Sequence, residues 1–456
     1  MTDNVTSRRA FLGLGLAGAA GTGLLAGCSG SSGAVNGSDL QIWGAFASQD
    51  IQAYFEKEFV RPFNQKSPVQ VQLSAKPSNT IDRLTQTALA SGAGPDIITA
   101  DGPGQALSYA RSGKIDNLDD YVDQFDWDSY YLDWALRPCR VDGRLMSLPV
   151  QLESLVLFYN TAVFKKHGWK PPTTRAELEA ICADAQARGM MPLAMGNAGY
   201  QAGNEWYLSM FLNHAAGPDN VYQALIGRKR WASDVFVDAI ELFKSYFDKG
   251  WAGGATADYF TNLGADLDSD LATGKAAMMP CGTWQIQNLP LYFGDGTGSI
   301  GDWDWVPFPP LADGVPDNLF PLAIGQCYQL NANTRHPKQG AAYLNYLVSD
   351  PAKQLKALSD VQFEPPPVHF SIDDFPDDLD SRIARLYHQL TTTKAIGYTT
   401  WTFLSQQSDT YLWTDIEKVV TGQLTARDYL SGMDEVFTPD LKSGNVPQAP
   451  APMEVK

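Results

Sequence analysis

The sequence predicts a two-lobed α/β protein, and three observations carry that expectation. Strand-like and helix-like segments alternate from Leu40 to Arg111, and a second alternating series begins at Leu155. The chain has 456 residues, 44% hydrophobic and 19% charged, which is too long for a single core and apolar enough to fill two. In the first series, Leu40-Gln41-Ile42-Trp43 reads as a strand, and Asp50 to Phe59 places Ile51, Tyr54, Phe55 and Phe59 at helical spacing. Val69 to Leu73 alternates like a strand, Ile81 to Ala90 is helical by pattern, Asp96 to Thr99 is a short buried strand, and Gln105 to Arg111 is helical again. Repeated β-α units imply a parallel sheet, whose ligands bind beyond the carboxyl ends of the strands. Here those ends are Gly44 to Gln49 and Asp101 to Gly104.

In the second series, Leu155 to Tyr159 reads as a strand. Thr174 to Arg188 reads as a helix, with Thr174 and Glu177 spaced as a capping box. Glu205 to Ala215, Ser233 to Lys249 and Thr283 to Leu289 follow as helices, with Ala276 to Met279 as a strand. Pro307-Phe308-Pro309-Pro310 and Pro365-Pro366-Pro367 interrupt the pattern. Such clusters fix the backbone and remove donors, so they suit passages between lobes and surface loops equally.

The first residues read as an address. Ser7-Arg8-Arg9-Ala10-Phe11-Leu12 precedes an uncharged, glycine-rich run to Gly27, which resembles a twin-arginine export signal. Glycine weakens the rival reading as a membrane anchor. Leu25-Ala26-Gly27-Cys28 looks like a lipoprotein lipobox, with lipidation at Cys28 after removal of residues 1–27. Residues 28–38 form a Gly/Ser tether of roughly 15–20 Å. This places the body outside the cytoplasmic membrane, held to its outer face by the N-terminal lipid alone.

The formal charge is −17, and loss of Arg8, Arg9 and Asp3 with the signal makes it −18. That field repels phosphate backbones, so a nucleic-acid partner is not expected. Cys139, Cys182, Cys281 and Cys327 remain, an even number that allows one or two disulfides. Their wide spacing and apolar surroundings favour free buried thiols. Several familiar signals fail on context. Gly13 to Gly18 and Gly296 to Gly301 both satisfy G-x-G-x-x-G, but the first lies in the signal and the second has no flanking strand and helix. Asp266-Leu267-Asp268-Ser269-Asp270 begins like a calcium loop, yet Leu271 and Ala277 stand where glycine and glutamate are needed. His167, His214, His336, His369 and His388 show no metal-ligand spacing, and no G-x-S-x-G elbow occurs. No metal and no cofactor are expected.

Five segments in order then resemble the extracellular solute-binding proteins of the sugar-binding type, the family that includes maltose-binding proteins. They are Phe55-Glu56-Lys57-Glu58-Phe59 before Val69; Gly94-Pro95-Asp96-Ile97-Ile98 before Arg111-Ser112-Gly113; Leu148 to Leu155 before Phe158-Tyr159-Asn160; Gly274 to Met278 before Gly282-Thr283-Trp284; and Ala341 to Leu347 before Ser349-Asp350-Pro351. The resemblance implies a periplasmic-binding-protein-like fold, with three hinge crossings near 150–154, 308–320 and 360–368 and a ligand cleft between the lobes. Lobe 1 would comprise 39–150 plus about 312–362, and lobe 2 151–311 plus about 363–456.

Sugars present hydroxyl edges and apolar C–H faces, so their sites need aromatic planes and strong hydrogen-bonding groups. The chain has 12 tryptophans and 19 tyrosines. The resemblance makes Glu153 a ligand of sugar hydroxyls and Trp284 a stacking ring. Trp43, Ser48 and Gln49 follow the first strand, where a core ring and a helix cap are the competing roles. Asp101 follows the third strand and serves a ligand or a turn before Gly102-Pro103. Asn204, Glu205 and Trp206 open a helix, Trp401 lies in the C-terminal helical portion, and Gln326 follows Gly325. The expected function is capture of a mono- or oligosaccharide by a monomeric, non-enzymatic lipoprotein that delivers it to ABC transporter permease subunits. The same fold also accommodates a peptide, polyamine or osmolyte, and paired carboxylates would suit a secreted glycan-cleaving enzyme.

Overall fold

The computed structural model describes residues 38–46, 48–77 and 80–452. The export signal, Cys28 and the tether up to Gly37 lie outside the described residues. Strand β1 (Leu40–Gly44) leads into α1 (Gln49–Phe55), which the wider-turned segment Glu56–Val60 carries on to Asn64. The helix is therefore longer than its apolar pattern, and the strand after it is displaced to β2 (Val71–Ala75). Asn64 sets that start, because its side chain donates to Val71 O at 3.0 Å and accepts from Val71 N–H at 2.7 Å. Helix α2 (Ile81–Ala90), strand β3 (Ile97–Ala100) and helix α3 (Gly102–Arg111) complete the first series. Glycine and proline open α3 three residues earlier than the apolar spacing indicates, since proline fits the first turn of a helix.

The chain then forms three short stretches near the crossing, β4 (Leu148–Pro149), β5 (Leu152–Glu153) and the buried β6 (Leu155–Asn160). Helix α4 (Arg175–Ala187) starts as expected at Thr174, whose hydroxyl accepts from Glu177 N–H at 3.2 Å. The Glu177 carboxylate reaches back one residue further than a capping box requires, to Thr173 N–H and Oγ1, both at 2.8 Å. Strand β7 (Met191–Leu193), helices α5 (Asn204–Phe211), α6 (Asp234–Asp248) and α7 (Gly264–Thr273), and strands β8 (Ala276–Gly282) and β9 (Trp303–Pro307) follow. Thr283 to Leu289 is not the helix its pattern predicts. Thr283–Gln287 is a tight 3-10 turn, because Thr283 N–H is committed to Ser154 O at 2.9 Å and Pro290 opens a separate short turn. The chain closes with β10 (Phe320–Ile324), β11 (Cys327–Leu330), α8 (Pro337–Val348), α9 (Pro351–Val361), β12 (Ile396–Tyr398), α10 (Thr400–Phe403), α11 (Gln406–Val420) and α12 (Ala426–Lys442).

Two principal sheets result. The first has the order β2-β1-β3-β11-β4, and the second β9-β6-β8-β7. In the first sheet the expected parallel pairing holds for β2, β1 and β3, while β11 runs antiparallel to β3; in the second, β7 and β8 are parallel and β6 runs antiparallel to both β8 and β9. The reason is connectivity. A strand delivered by a β-α unit runs parallel to its predecessor, whereas one that returns from the other sheet enters from the opposite end. A third, smaller sheet, β12-β10-β5, lies between, with Ala323 opposite Glu153 and Ile324 opposite Leu152. Around Pro307–Pro310 the chain stays beside the second sheet: Phe308 packs on Phe211 and His214, and Leu311 N–H donates to His214 O. It enters the first sheet only after Gly325 and Gln326.

Cys139, Cys182, Cys281 and Cys327 are free and buried, with the sulfurs of Cys139 and Cys327 3.8 Å apart. Among the described residues no helix is long and apolar enough to cross a membrane. One carboxylate ties the first sheet to the loop beyond β11. Asp96, 2% exposed, accepts from Gln41 N–H at 2.8 Å and from Thr334 Oγ1 at 2.6 Å. Losing it leaves two partly buried donors unmet, at about 1 kcal/mol each. We expect Asp96→Ala to lower unfolding stability by at least that much in urea titrations; a variant as stable as the parent would show that these bonds do not hold the sheet.

Candidate functional site

A cavity of about 280 Å³ opens beside the carboxyl ends of β1 and β3, at the low end of ligand-site volumes. Of the residues singled out in the sequence, it brings together Asp101, Glu153, Glu205, Trp206, Trp284, Gln326 and Trp401. Four others stand elsewhere. Trp43 lies under the Lys76 ammonium, 4.7 Å from its ring, and its carbonyl accepts from Thr99 Oγ1. Ser48 caps α1 by accepting from Ile51 N–H at 3.2 Å, and Gln49 is exposed on the first turn of that helix. Asn204 binds the protein itself, donating to Trp413 O at 2.8 Å and accepting from Tyr259 Oη. The preceding 3-10 turn Gln201–Gly203 takes up the N–H of Asn204, so this helix end offers its first donor inward.

The aromatic wall is continuous. Tyr200 stacks on Trp206 at 5.8 Å between ring centres, Trp206 meets Trp284 at 4.9 Å, and Trp284 meets Trp401 at 5.9 Å. Trp284 reaches this place because Gly282 has no side chain. A Cβ there would lie 2.0 Å from the indole ring. Thr283 between them is fully buried and acts as a junction: Ser154 N–H donates to its hydroxyl at 3.2 Å, and the hydroxyl donates to Glu364 Oε1 at 3.0 Å. Trp401 is fixed by the two ends of its own turn. Thr402 Oγ1 accepts from Ile324 N–H at 3.1 Å, and Thr400 N–H donates to Ser209 Oγ at 3.1 Å. All three tryptophans come from elements beside the second sheet or the crossing, while the first-sheet side contributes Phe46, Ile81 and Asp101.

The carboxyl groups occur in contacting pairs. Burial, reinforced by the facing Glu364, holds the Glu153 carboxyl well above the usual carboxylate range. Burial pushes Glu364 up to about 8, although Thr283, Glu153 and Tyr387 oppose the shift by hydrogen bonding. Glu205 is raised by burial and by Asp409, and Asp101 by burial and by Asp82. Glu153 is seated by a close approach of the same kind as Trp284: a Cβ on Gly325 would fall 1.8 Å from its Oε1. Sequence reading passed over Phe46, Gln151, Tyr200, Gln287 and Glu364, which also line the cavity, and Asp82 and Asp409 behind it. Glu364 carried one usable signal, its place immediately before the Pro365 cluster.

A second cavity of about 400 Å³ lies across the wall of Tyr200, Trp206 and Trp284, which line both spaces. Its polar end holds Asp268, raised to about 7 by burial and hydrogen-bonded to Gln285.

The pH dependence of stability follows from Glu364. Its folded value of about 8 exceeds the ordinary 4.5, so between these the folded chain keeps a proton that the unfolded chain releases. That contribution is complete below the lower value and is lost as pH rises through the upper one. We expect the unliganded protein to melt at progressively lower temperature from about pH 5 to about pH 8, and Glu364→Gln to reduce the slope. An unchanged slope in that variant would assign the effect to other groups.

Comparison with known proteins bears on this geometry. A binding protein of Brucella abortus (strain 2308) is 23% identical over 263 residues, 56% of this chain and 61% of its own length. The chain thus spans about three fifths of the first curated relatives it matches. The maltodextrin-binding protein MdxE of Bacillus subtilis (strain 168) is 22% identical over 335 residues, 72% of this chain and 73% of the relative. Among solved structures, a chitin oligosaccharide binding protein superposes with TM-score 0.75 at 19% identity, covering 89% of this chain and 98% of that one. The GacH receptor of Streptomyces glaucescens gives 0.70 at 18% identity, covering 89% and 99%. At such identities the structures speak for the fold, which is two-lobed and mixed α/β. The model of the bacterial extracellular solute-binding protein family matches residues 58–378, and the chain belongs to that family.

Proposed function

We propose that the chain is the extracytoplasmic receptor of an ABC importer, and that it captures a small carbohydrate in the cleft between its lobes. The observation that carries this reading is the three-tryptophan wall facing carboxyl and amide groups across one cavity. Flat indoles pair with the C–H faces of a pyranose, and Glu153, Glu205, Asp101, Gln151 and Gln326 pair with its hydroxyls. The neighbouring cavity, which shares Tyr200, Trp206 and Trp284, gives an elongated ligand room beyond its first ring.

In this reading the hinge runs through Gln151 to Glu153, through Gly325 and Gln326, and through Glu364 to Pro367, with the residues of 39–150 and 327–362 moving as one lobe. Closure draws its free energy from contacts that exist only when both lobes touch the ligand. Binding without turnover is supported by the contact between Glu153 and Glu364, whose hydrogen bond holds them closer than the roughly 5 Å separation of a retaining glycosidase pair. The twin arginine and Cys28 support export and lipid anchoring, after which acidic surfaces of both lobes dock on membrane permease subunits.

A panel of mono- and oligosaccharides in a thermal-shift assay tests the proposal. A ligand at 100 times its Kd stabilises by about 2.7 kcal/mol. We expect Trp284→Ala and Glu153→Ala each to remove most of the shift given by the best sugar. Wild-type affinity in both variants would move the site elsewhere, and a chain that responds to no sugar would not be a saccharide receptor.

A further inference from the structure

The cleft holds more carboxyl groups than a neutral sugar requires. Asp101, Glu153, Glu205 and Glu364 line it, and Asp82 and Asp409 contact two of them from behind. Among the described residues, no lysine, arginine or histidine lines the cavity and none of the six carboxyls forms an ion pair. Elsewhere the chain does pair its acids, as Arg382 with Asp302 and Asp380 and Arg385 with Asp304. Other buried acids without an ion pair accept from N–H or hydroxyl donors instead, as Asp96 does from Gln41 and Thr334 and Asp268 does from Gln285.

A second observation points to a ligand. Glu153 and Glu205 are 6% and 7% exposed, border the cavity, and meet only another carboxyl, Glu364 and Asp409 respectively, with no hydrogen bond from an N–H or alcohol donor among the described residues. Glu205 feels the charge of both Asp101 and Glu153, and Glu153 that of Asp101, so three carboxyls from three separate elements converge on one space. Buried acids without donors are costly unless a cation or a proton reaches them. Among the described residues no cluster of acids, histidines and cysteines has the arrangement to hold a metal ion. A primary ammonium carries three N–H donors and one positive charge, which suits three convergent carboxyls. The indole faces of Trp206, Trp284 and Trp401 add attraction for the same cation and a platform for a ring. A linear polyamine would leave those rings unused, and a neutral sugar would leave the acids to share protons among themselves.

We propose that the ligand is a saccharide bearing a free, protonated amino group, held with its ammonium among Asp101, Glu153 and Glu205 and its ring against the tryptophans. This rests on the saccharide-receptor reading and narrows its substrate class. Because the empty cleft retains protons on its acids, the ammonium displaces them, and binding releases protons to solvent.

Calorimetry on the purified mature protein tests this with matched probes: glucosamine and galactosamine, the β-1,4-linked glucosamine disaccharide, and the N-acetyl and hydroxyl counterpart of each. We expect at least one free-amine sugar to bind tenfold or more tightly than both its counterparts near neutral pH. The apparent heat of binding should change between buffers of different ionisation enthalpy, reporting proton release. Glu205→Gln and Asp101→Asn should narrow the preference for the amine, with folding checked by thermal unfolding. If a neutral sugar binds as tightly as its amine, the amine proposal falls and the saccharide receptor stands. If spermidine binds and no sugar does, both fall.

Discussion

Three backbone hydrogen bonds hold the strands of the crossing side by side: Val150 N–H to Gln326 O at 2.9 Å, Leu152 N–H to Pro365 O at 2.8 Å, and Gly325 N–H to Gln151 O at 3.2 Å. Each joins segments far apart in sequence, and none depends on a side chain. Proline at 365 fits because it offers only its carbonyl, the group Leu152 needs. With these segments in register, Glu153, Gln326 and Glu364 have no freedom to separate. Ser154 and Thr283 extend the same network to the end of β8, which brings Trp284 to the same point. The site is thus assembled by backbone pairing at the crossing, and the side chains occupy what the pairing leaves.

That arrangement has an electrostatic consequence. Two carboxyls pressed together away from water cannot both ionise, so the cleft meets solvent partly protonated. Such groups donate as well as accept hydrogen bonds, which widens the range of polar edges the cleft can meet. The same groups make an empty cleft less favourable at alkaline pH, when protons leave and no counter-ion replaces them. Ligand then supplies what the fold withholds.

The fold class was legible because it rests on periodicity, which survives loop variation. Helix and strand positions from Leu40 to Arg111 came within a few residues, and the errors have local causes, such as the Asn64 side chain that starts β2. Strand direction in the second sheet was illegible, since it depends on which sheet a returning strand joins. The positions of Glu153 and Trp284 beside the cavity were legible through flanking motifs whose glycines and threonine have structural reasons to be there. Trp43, Ser48, Gln49 and Asn204 sat at plausible element ends, but sequence position does not say which way a side chain turns. Asp82 and Asp409 were invisible, and Glu364 showed only by its place before the Pro365 cluster, because their importance comes from pairing with acids distant in the chain.

The two sides of the cleft differ in chemistry, and that asymmetry gives an order to capture. The tryptophan wall belongs to elements that touch one another directly, α5, α10 and the turn after β8, so its rings are fixed before any ligand arrives. The first-sheet side contributes mainly Phe46, Ile81 and the Asp101–Asp82 pair. Apolar surface is buried as soon as a ring lies on the wall, whereas an acid pair acts strongly only once water has left. In the proposed receptor a ligand therefore settles first on the indoles, and the charge of Asp101 gains its full effect as the lobes approach. Closure strengthens that contact by removing the water that screens it, and so selects a ligand with something for the acid to hold.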